Sequence, residues 1–239
     1  MTEEMLICGR KVRCELCRKN VKNLNLHVRP DGTVSVSAPP RASRRQIEDF
    51  IDKNGKKILE VLNRQKESEK TAPMPSEFRD GEHFTFLGRI YPLHVVKADR
   101  NGTEFSNGEL KIYVKDPSDR AGAKRLFEAW LLGETKKRLT AVCRMMWPSF
   151  SPPLKAMPGI RFRKMRSCWG NCRPESGILT FNSSLAALPP ECIECVAAHE
   201  FTHFLHPDHS RDFYRSFTDF MPDREKREKV LSKYSAVLR

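Results

Sequence analysis

The stretch that most constrains this chain is 199–203, which reads His199-Glu200-Phe201-Thr202-His203 and matches H-E-x-x-H. Residues four apart lie one turn apart on the same face of an α-helix, so both imidazoles can bind one metal ion. Glu200 can carry its carboxylate to a water on that metal. Nitrogen ligands, a tetrahedral preference and an open fourth position favour Zn²⁺. Because the chain has seven His in 239 residues, chance yields such a match in on the order of one chain in a hundred.

The residues around the motif predict a helix that runs through it. Pro189-Pro190 can begin a helix at its first turn. The apolar residues between Cys192 and Ala197 supply a buried face. Pro207 predicts that the helix ends near 205–206, because the residue before a proline avoids the α region.

A third metal ligand is needed, and the candidates are His206 and His209. In a continuing helix His206 would stay on the face of His199 but two turns away, roughly 10 Å along the axis, too far for one ion. A turn at Pro207-Asp208 can instead bring His209 back to the metal. The sequence therefore predicts His209 as the third ligand and His206 as a partial cation at the helix C-terminus.

Further motifs surround this stretch. They read Trp169-Gly170-Asn171-Cys172, Ile178–Asn182, His199–Phe213 and Met221-Pro222-Asp223. Together they resemble the YgjP-like metallopeptidase family, relatives of the SprT-like and Wss1-like zincins. Earlier pieces are similar too, so that the resemblance covers most of the chain: Arg29–Thr33, Ala38-Pro39 and Phe86–Tyr91. The chain departs from the family pattern at Asn171, Phe201 and Cys168, where the family usually has Ser, Leu and a basic residue.

The resemblance implies a zincin-like core that hydrolyses peptide bonds. In the expected mechanism His199, His203 and His209 hold Zn²⁺ and a water, and Glu200 is the general base. The strand predicted at 177–182 would form the cleft edge and pair with an extended peptide. The candidates for substrate binding are Arg166, Trp169, Asn182 and Tyr214, each of which also has an ordinary structural interpretation.

Cysteine spacing supports a rival hypothesis. Cys168-x3-Cys172 and Cys192-x2-Cys195 have the approximate spacing of a four-thiolate zinc ribbon. Against it, the second pair falls on the predicted helix, where small apolar residues would pack equally well. Cys14-x2-Cys17 has no second pair nearby and is predicted on a strand.

The formal net charge of +13 requires an explanation, either a binding partner or another cause. It is typical of a protein that binds nucleic acid, and equally of a solvated basic surface. One basic run, Arg161, Arg163, Lys164 and Arg166, precedes Trp169. Two alternatives to a plain peptidase follow: a nucleic-acid-associated protein with a structural zinc, or a protease acting on nucleic-acid-bound proteins.

Apolar stretches and cysteine usage bear on the compartment. The sequence has no run of 18 or more apolar residues and no signal-peptide pattern at its start. We therefore expect a cytoplasmic protein without membrane contact, whose eight cysteines are reduced.

Hydrophobic periodicity predicts an α+β fold without an internal repeat. Residues 5–38 are predicted as strands, among them 24–28 and 34–38 (a hairpin around Pro30–Gly32), and further strands are predicted at 84–86, 90–96, 110–114, 160–165 and 177–182. Predicted helices span 43–66 with Ser43 as N-cap, 118–146 and the metal-binding motif, and two more begin at Ser210 and Asp223. Residues 67–75 and 148–158 are predicted as loops. The predicted parts are 1–75, 76–158 and a zincin-like core at 159–239.

Overall fold

The computed structural model describes residues 2–29, 31–150 and 156–238. The chain divides into two compact units, Met1–Lys70 and Thr71–Arg239. Both combine strands with helices, which confirms the predicted α+β class. The three ranges predicted as domains stay a prediction; the second and third lie in one compact unit.

The first unit contains a four-stranded sheet. Its strands are β1 (Thr2–Ile7), β2 (Arg10–Arg18), β3 (Asn25–Val28) and β4 (Val34–Ala38). They lie in the order β1-β2-β4-β3. The outer pairs are antiparallel and the central pair, β2 and β4, is parallel. The predicted hairpin of β3 and β4 is confirmed, with Pro30 of its turn outside the described residues.

Two helices cover this sheet, where the sequence predicted one. Helix α1 (Arg44–Lys53) begins with a capping box between Ser43 and Gln46, which confirms the predicted N-cap. Helix α2 (Gly55–Thr71) follows after Asn54, whose side chain donates to the Phe50 carbonyl at 2.8 Å. A Cβ on Gly55 would lie 2.7 Å from the Cys8 sulfur. The break therefore allows the helix start to approach the β1–β2 turn closely, and α2 extends into the predicted loop.

The second unit begins with a sheet of the same topology. Its strands are β5 (His83–Phe86), β6 (Arg89–Lys97), β7 (Gly102–Ser106) and β8 (Glu109–Val114). They lie in the order β5-β6-β8-β7, again with a parallel central pair and antiparallel outer pairs. Strand β7 was not predicted. The architecture thus repeats although no repeat is visible in the sequence.

Helix α3 (Arg120–Phe150) joins the two apolar clusters of this unit. It extends beyond the predicted end at 146 and contains Pro148 in its last turn. The Phe150 ring packs 5.2 Å from Phe201 and 4.5 Å from Phe220, between centroids, which anchors this end of the helix. Of the loop predicted at 148–158, residues 151–155 lie outside the described residues.

A small sheet and three helices complete the unit. The strands are β9 (Gly159–Arg163), β10 (Gly170–Arg173) and β11 (Ile178–Asn182). Their order is β10-β11-β9, so β11 is central. The prediction that 177–182 forms the cleft edge is therefore wrong; the edge strand is β10, which was not predicted. The helices are α4 (Pro190–Thr202), α5 (Arg211–Phe220) and α6 (Arg224–Leu231).

The start of α4 is fixed by the β5–β6 turn. The backbone N–H groups of Leu87 and Gly88 donate to the carbonyls of Ala186 and Ala187 at 2.8 and 3.0 Å. Gly88 has φ +74°, and a Cβ there would lie 2.6 Å from Cγ of Pro189. This close contact requires glycine and holds α4 against the preceding sheet. Among the described residues, every helix is too short or too polar to cross a lipid bilayer.

Candidate metal centre

The first two histidines lie at the C-terminal end of α4. The helix ends at Thr202, and His203 is its C-cap with φ −64° and ψ −18°. The His199 and His203 ring centroids are 5.0 Å apart. The helix predicted to reach 205–206 is therefore too long. The N–H groups of Leu205 and His206 both donate to the Thr202 carbonyl, so the chain turns before Pro207.

This turn brings His209 to the same point. Nε2 of His209 lies 3.1 Å from Nε2 of His199. One ligand atom from each of His199, His203 and His209 lies within 4.8 Å of the others. Two nitrogens on a tetrahedral zinc are about 3.3 Å apart, given Zn–N bonds of about 2.0–2.1 Å. The donor set therefore fits one metal ion.

His206 lies outside this group. Its ring Nε2 is 3.0 Å from the Ser216 hydroxyl on α5, instead of capping α4 as predicted. Its backbone carbonyl accepts a hydrogen bond from Nδ1 of His203 at 3.2 Å. Because a carbonyl can only accept, His203 carries its proton on Nδ1, and Nε2 is left free to bind a metal.

One aromatic side chain backs all three imidazoles. Phe213 is fully buried, and its ring centroid lies 5.0, 4.7 and 4.9 Å from those of His199, His203 and His209. Its helix, α5, is N-capped by Ser210, as predicted. Burial, together with the neighbouring imidazoles, lowers the pKa of His199 to about 4. A neutral imidazole is the form that binds metals.

Glu200 lies beside the histidines, with only 5% of its surface exposed. Burial raises the pKa of its carboxyl to about 8, although the backbone N–H of Cys172 donates to it and opposes the shift. A Cβ on Gly170 would lie 2.5 Å from Oε1 of Glu200. Edge strand β10 thus fixes the position of this carboxyl group.

The histidines and Glu200 open into one pocket of about 530 Å³. Its walls come from the end of α4, from residues 168–172 with β10, and from Glu228 and Leu231 of α6. An acidic side chain, imidazoles and an open strand edge therefore share one concave surface. Such surfaces are typical of binding sites.

The four predicted substrate residues have different positions. Trp169 lines the pocket, while Arg166 is exposed and outside the lining. Asn182 is buried, and its amide donates to the carbonyls of Met165 and Cys168, so it supports the pocket loop. Tyr214 lies under the Arg224 guanidinium, 4.9 Å from the ring centroid, and its ring is 6.3 Å from that of His209.

The cysteines do not assemble into the rival ribbon. In the described part of the chain, the group with ligand atoms close enough for one ion consists of the three histidines alone. Burial raises the pKa of Cys172, Cys192 and Cys195 to about 12, as expected for small side chains packed in an apolar environment. Cys14 and Cys17 lie on β2, as predicted.

The cations of the predicted basic run differ in their contacts. Lys164 donates to Glu128 at 2.6 Å. Arg161 and Arg163 are exposed and alternate with the half-buried Phe162 on β9, so they share one face of that strand.

Comparison with known sequences identifies the family of this chain. The sequence profile described as "YgjP-like, metallopeptidase domain" matches residues 22–234. The chain belongs to the YgjP-like metallopeptidase family. No curated protein matches it. Membership in a metallopeptidase family implies hydrolase activity and a metal cofactor, and His199, His203 and His209 are the residues that could hold the metal.

The backbone N–H of Cys172, which donates to Glu200, was not identified from the sequence, although the Trp169–Cys172 motif contains it.

Proposed function

We propose that this member of the YgjP-like family is a zinc-dependent metallopeptidase that hydrolyses peptide bonds. The observation that carries the proposal is the group of His199, His203 and His209, with ligand atoms within 4.8 Å of one another, beside the buried carboxyl of Glu200 in one pocket. Three neutral imidazoles with an open fourth position are a typical catalytic zinc set. A closed structural site would need a fourth protein ligand, and none joins this group within the described residues.

The metal and Glu200 have separate roles. When bound, zinc supplies a Lewis acid that polarises the scissile carbonyl and lowers the pKa of a water toward neutrality. Glu200 takes a proton from the attacking water and returns it to the leaving nitrogen. Burial raises the pKa of the Glu200 carboxyl above its ordinary value, and a general acid–base group is most effective when its pKa lies near the operating pH.

The proposed substrate is an extended peptide paired with β10. The N–H of Asn182 donates to the Trp169 carbonyl at 2.8 Å. Since backbone groups alternate along an antiparallel pair, those of Gly170 and Cys172 point to the outer edge. The hydrogen bond from the Cys172 N–H to Glu200 agrees with this direction. A peptide on that edge would lie along the pocket.

A protease that acts on proteins bound to nucleic acid is the second candidate. It is favoured by the exposed Arg161 and Arg163 on one face of β9. If they contact phosphates, the affinity for DNA falls with salt, and Arg161→Glu with Arg163→Glu reduces the log–log slope, which is roughly 0.7–0.9 per contact. Binding too weak to detect at about 50 mM salt would remove this candidate and leave the peptidase.

Metal analysis combined with a proteolysis assay tests the main proposal. The purified chain should contain one zinc per molecule, cleave an unfolded protein, lose cleavage with a chelator and regain it with zinc. Adding DNA to the same assay tests the second candidate. A zinc-loaded chain that cleaves no unfolded protein or peptide would contradict the proposal.

A further inference from the structure

A groove runs along strand β3 in the first unit. Two adjoining cavities of about 490 and 580 Å³ form it, and both are lined by Leu24 and Phe50. One wall is the continuous segment Leu24–Val28, and the other is formed by α1 and α2. We call this surface the β3 groove.

The β3 wall is a free sheet edge. In the described part of the chain, β3 pairs with β4 on one side and no strand occupies the other. The Arg29 N–H donates to the Thr33 carbonyl at 2.8 Å. This bond sets the alternation of the antiparallel pair, so the N–H and C=O groups of Leu26 and Val28 point away from β4. They are available to another extended chain.

The opposite wall combines apolar contacts with positive charge. Phe50, Ile58 and Val61 line it with carbon atoms. The cations that line the groove are Lys53 and Lys57 on this wall and Lys22 and Arg41 at one end, all exposed, and the acidic residue is Asp49. Among the described residues, the ion pairs of this unit use Arg29 and Arg44 instead. The groove cations therefore keep their charge for a ligand.

The second sheet shows what fills the equivalent space elsewhere in the chain. Its edge strand in the same topological position is β7. There, Phe105 of β7 packs 5.6 Å from Trp130 of α3, between ring centroids. The sheet and helix of that unit are thus joined by large aromatic rings, whereas the β3 groove remains open.

We infer that the β3 groove binds an extended, acidic segment of a partner protein, which adds to β3 as a further strand. Backbone hydrogen bonds to Leu26 and Val28 align the segment. On the face that α1 and α2 cover, its apolar side chains contact Phe50 and Val61, and its carboxylates on the same face lie opposite Lys53 and Lys57. Single-stranded nucleic acid fits the charge but not the row of outward backbone groups. It would also need several stacking rings, and the rings that line this groove are Phe50 and the smaller His27 imidazole.

Binding of a labelled peptide with the repeat Val-Thr-Glu-Thr, which places Val and Glu on the same face of a strand, to the full chain tests the inference. Fluorescence anisotropy should show saturable binding that weakens with salt, and the same peptide with Lys in place of Glu should not bind. Lys57→Glu should weaken binding about 5- to 10-fold, as expected when an exposed attraction becomes a repulsion. Lys56→Glu is the matched control, because Lys56 is exposed on the same helix outside the groove. The mass of the recovered peptide is measured, so that cleavage of the peptide is not mistaken for its dissociation.

Amide hydrogen exchange decides how the peptide binds. Strand addition should slow the exchange of the Leu26 and Val28 amides and leave the Arg29 amide, which already donates to Thr33, nearly unchanged. Binding without protection of Leu26 and Val28 would overturn strand addition. No detectable binding at a concentration of about 1 mM would overturn the groove as a peptide site. Protection of the same amides by an oligothymidylate alone would assign it to nucleic acid.

Discussion

The carboxyl group of Glu200 on helix α4 occupies the space where Gly170 on strand β10 would carry a side chain. A Cβ at position 170 would lie 2.5 Å from Oε1 and 2.7 Å from Cδ of Glu200. The contact explains why this edge strand needs glycine beside the site, without any unusual backbone angle. It also provides a means of moving the carboxyl while leaving the three histidines in place.

Gly170→Ala should therefore lower the rate of hydrolysis strongly and change the free energy of unfolding little. The end of the Glu200 side chain must move, and a misplacement of about 1 Å can cost on the order of 10²-fold in rate. We expect kcat/KM to fall about 10- to 100-fold while zinc content stays unchanged. The control is Gly133→Ala in α3, where a Cβ meets no atom within 4 Å. It should keep full activity and raise the free energy of unfolding by about 0.5–1 kcal/mol. Equal activity of both variants would show that Glu200 need not be held there.

Glu200→Gln tests the proposed proton transfer itself. The amide has the same shape but cannot take a proton, and loss of one acid–base group typically costs about 10²–10⁴ in rate. Zinc binding should persist, because Glu200 is not in the three-histidine group. Glu191→Gln, an exposed residue of the same helix, is the control and should cleave normally. Parental rates in the Glu200→Gln variant would exclude Glu200 as the base.

His209→Ala and His206→Ala should separate the two C-terminal histidines. The first variant removes an imidazole of the group. The second keeps the backbone carbonyl that accepts from His203 and loses only the contact with Ser216. Zinc affinity, measured against a competing chelator, should fall more than about 100-fold in His209→Ala, beyond the usual effect of an outer partner, and by less than about tenfold in His206→Ala. The reverse ranking would contradict the proposed ligand set.

The three-histidine group could be predicted from the sequence because its spacing is local. The helix period places His199 and His203 together, and Pro207 breaks the chain so that His209 can return. The predicted end of α4, at 205–206, lies beyond its observed end at Thr202. The turn depends on backbone hydrogen bonds to the Thr202 carbonyl, which no sequence pattern reveals.

The order of the strands was harder to predict from the sequence than the three-histidine group. β10 is only four residues long and reads Gly-Asn-Cys-Arg, which lacks the alternation that marks a strand. Its existence depends on pairing with β11, so the central strand was taken for an edge. Asn182 shows the same limit: a polar residue at a strand end can face a ligand or, as here, hold the loop at Met165 and Cys168.

The loop before β5 is organised around Glu82. One carboxylate oxygen accepts from the N–H groups of Ser76 and Glu77 at 3.0 and 3.2 Å, and the other accepts from Arg79 at 2.7 Å. Burial alone would raise the pKa of Glu82, but these hydrogen bonds outweigh it and hold the pKa below its usual range. The ionised form is therefore favoured by folding.

Glu82→Gln should destabilise the protein in a pH-dependent way. Hydrogen bonds to a charged group contribute about 1.5–3 kcal/mol, so the variant should lose about 1–3 kcal/mol of unfolding free energy at pH 7. A depressed folded pKa gives stability that is complete above the unfolded pKa of about 4.3 and is lost as the pH falls through the lower folded value. Thermal unfolding of both proteins from pH 7 to pH 3 should show a constant gap down to about pH 5 that narrows below about pH 4. Glu175→Gln, at an exposed position outside this loop, should show no such gap. A gap that persists at pH 3 would mean that the glutamine disturbs the loop by its shape and not by its missing charge.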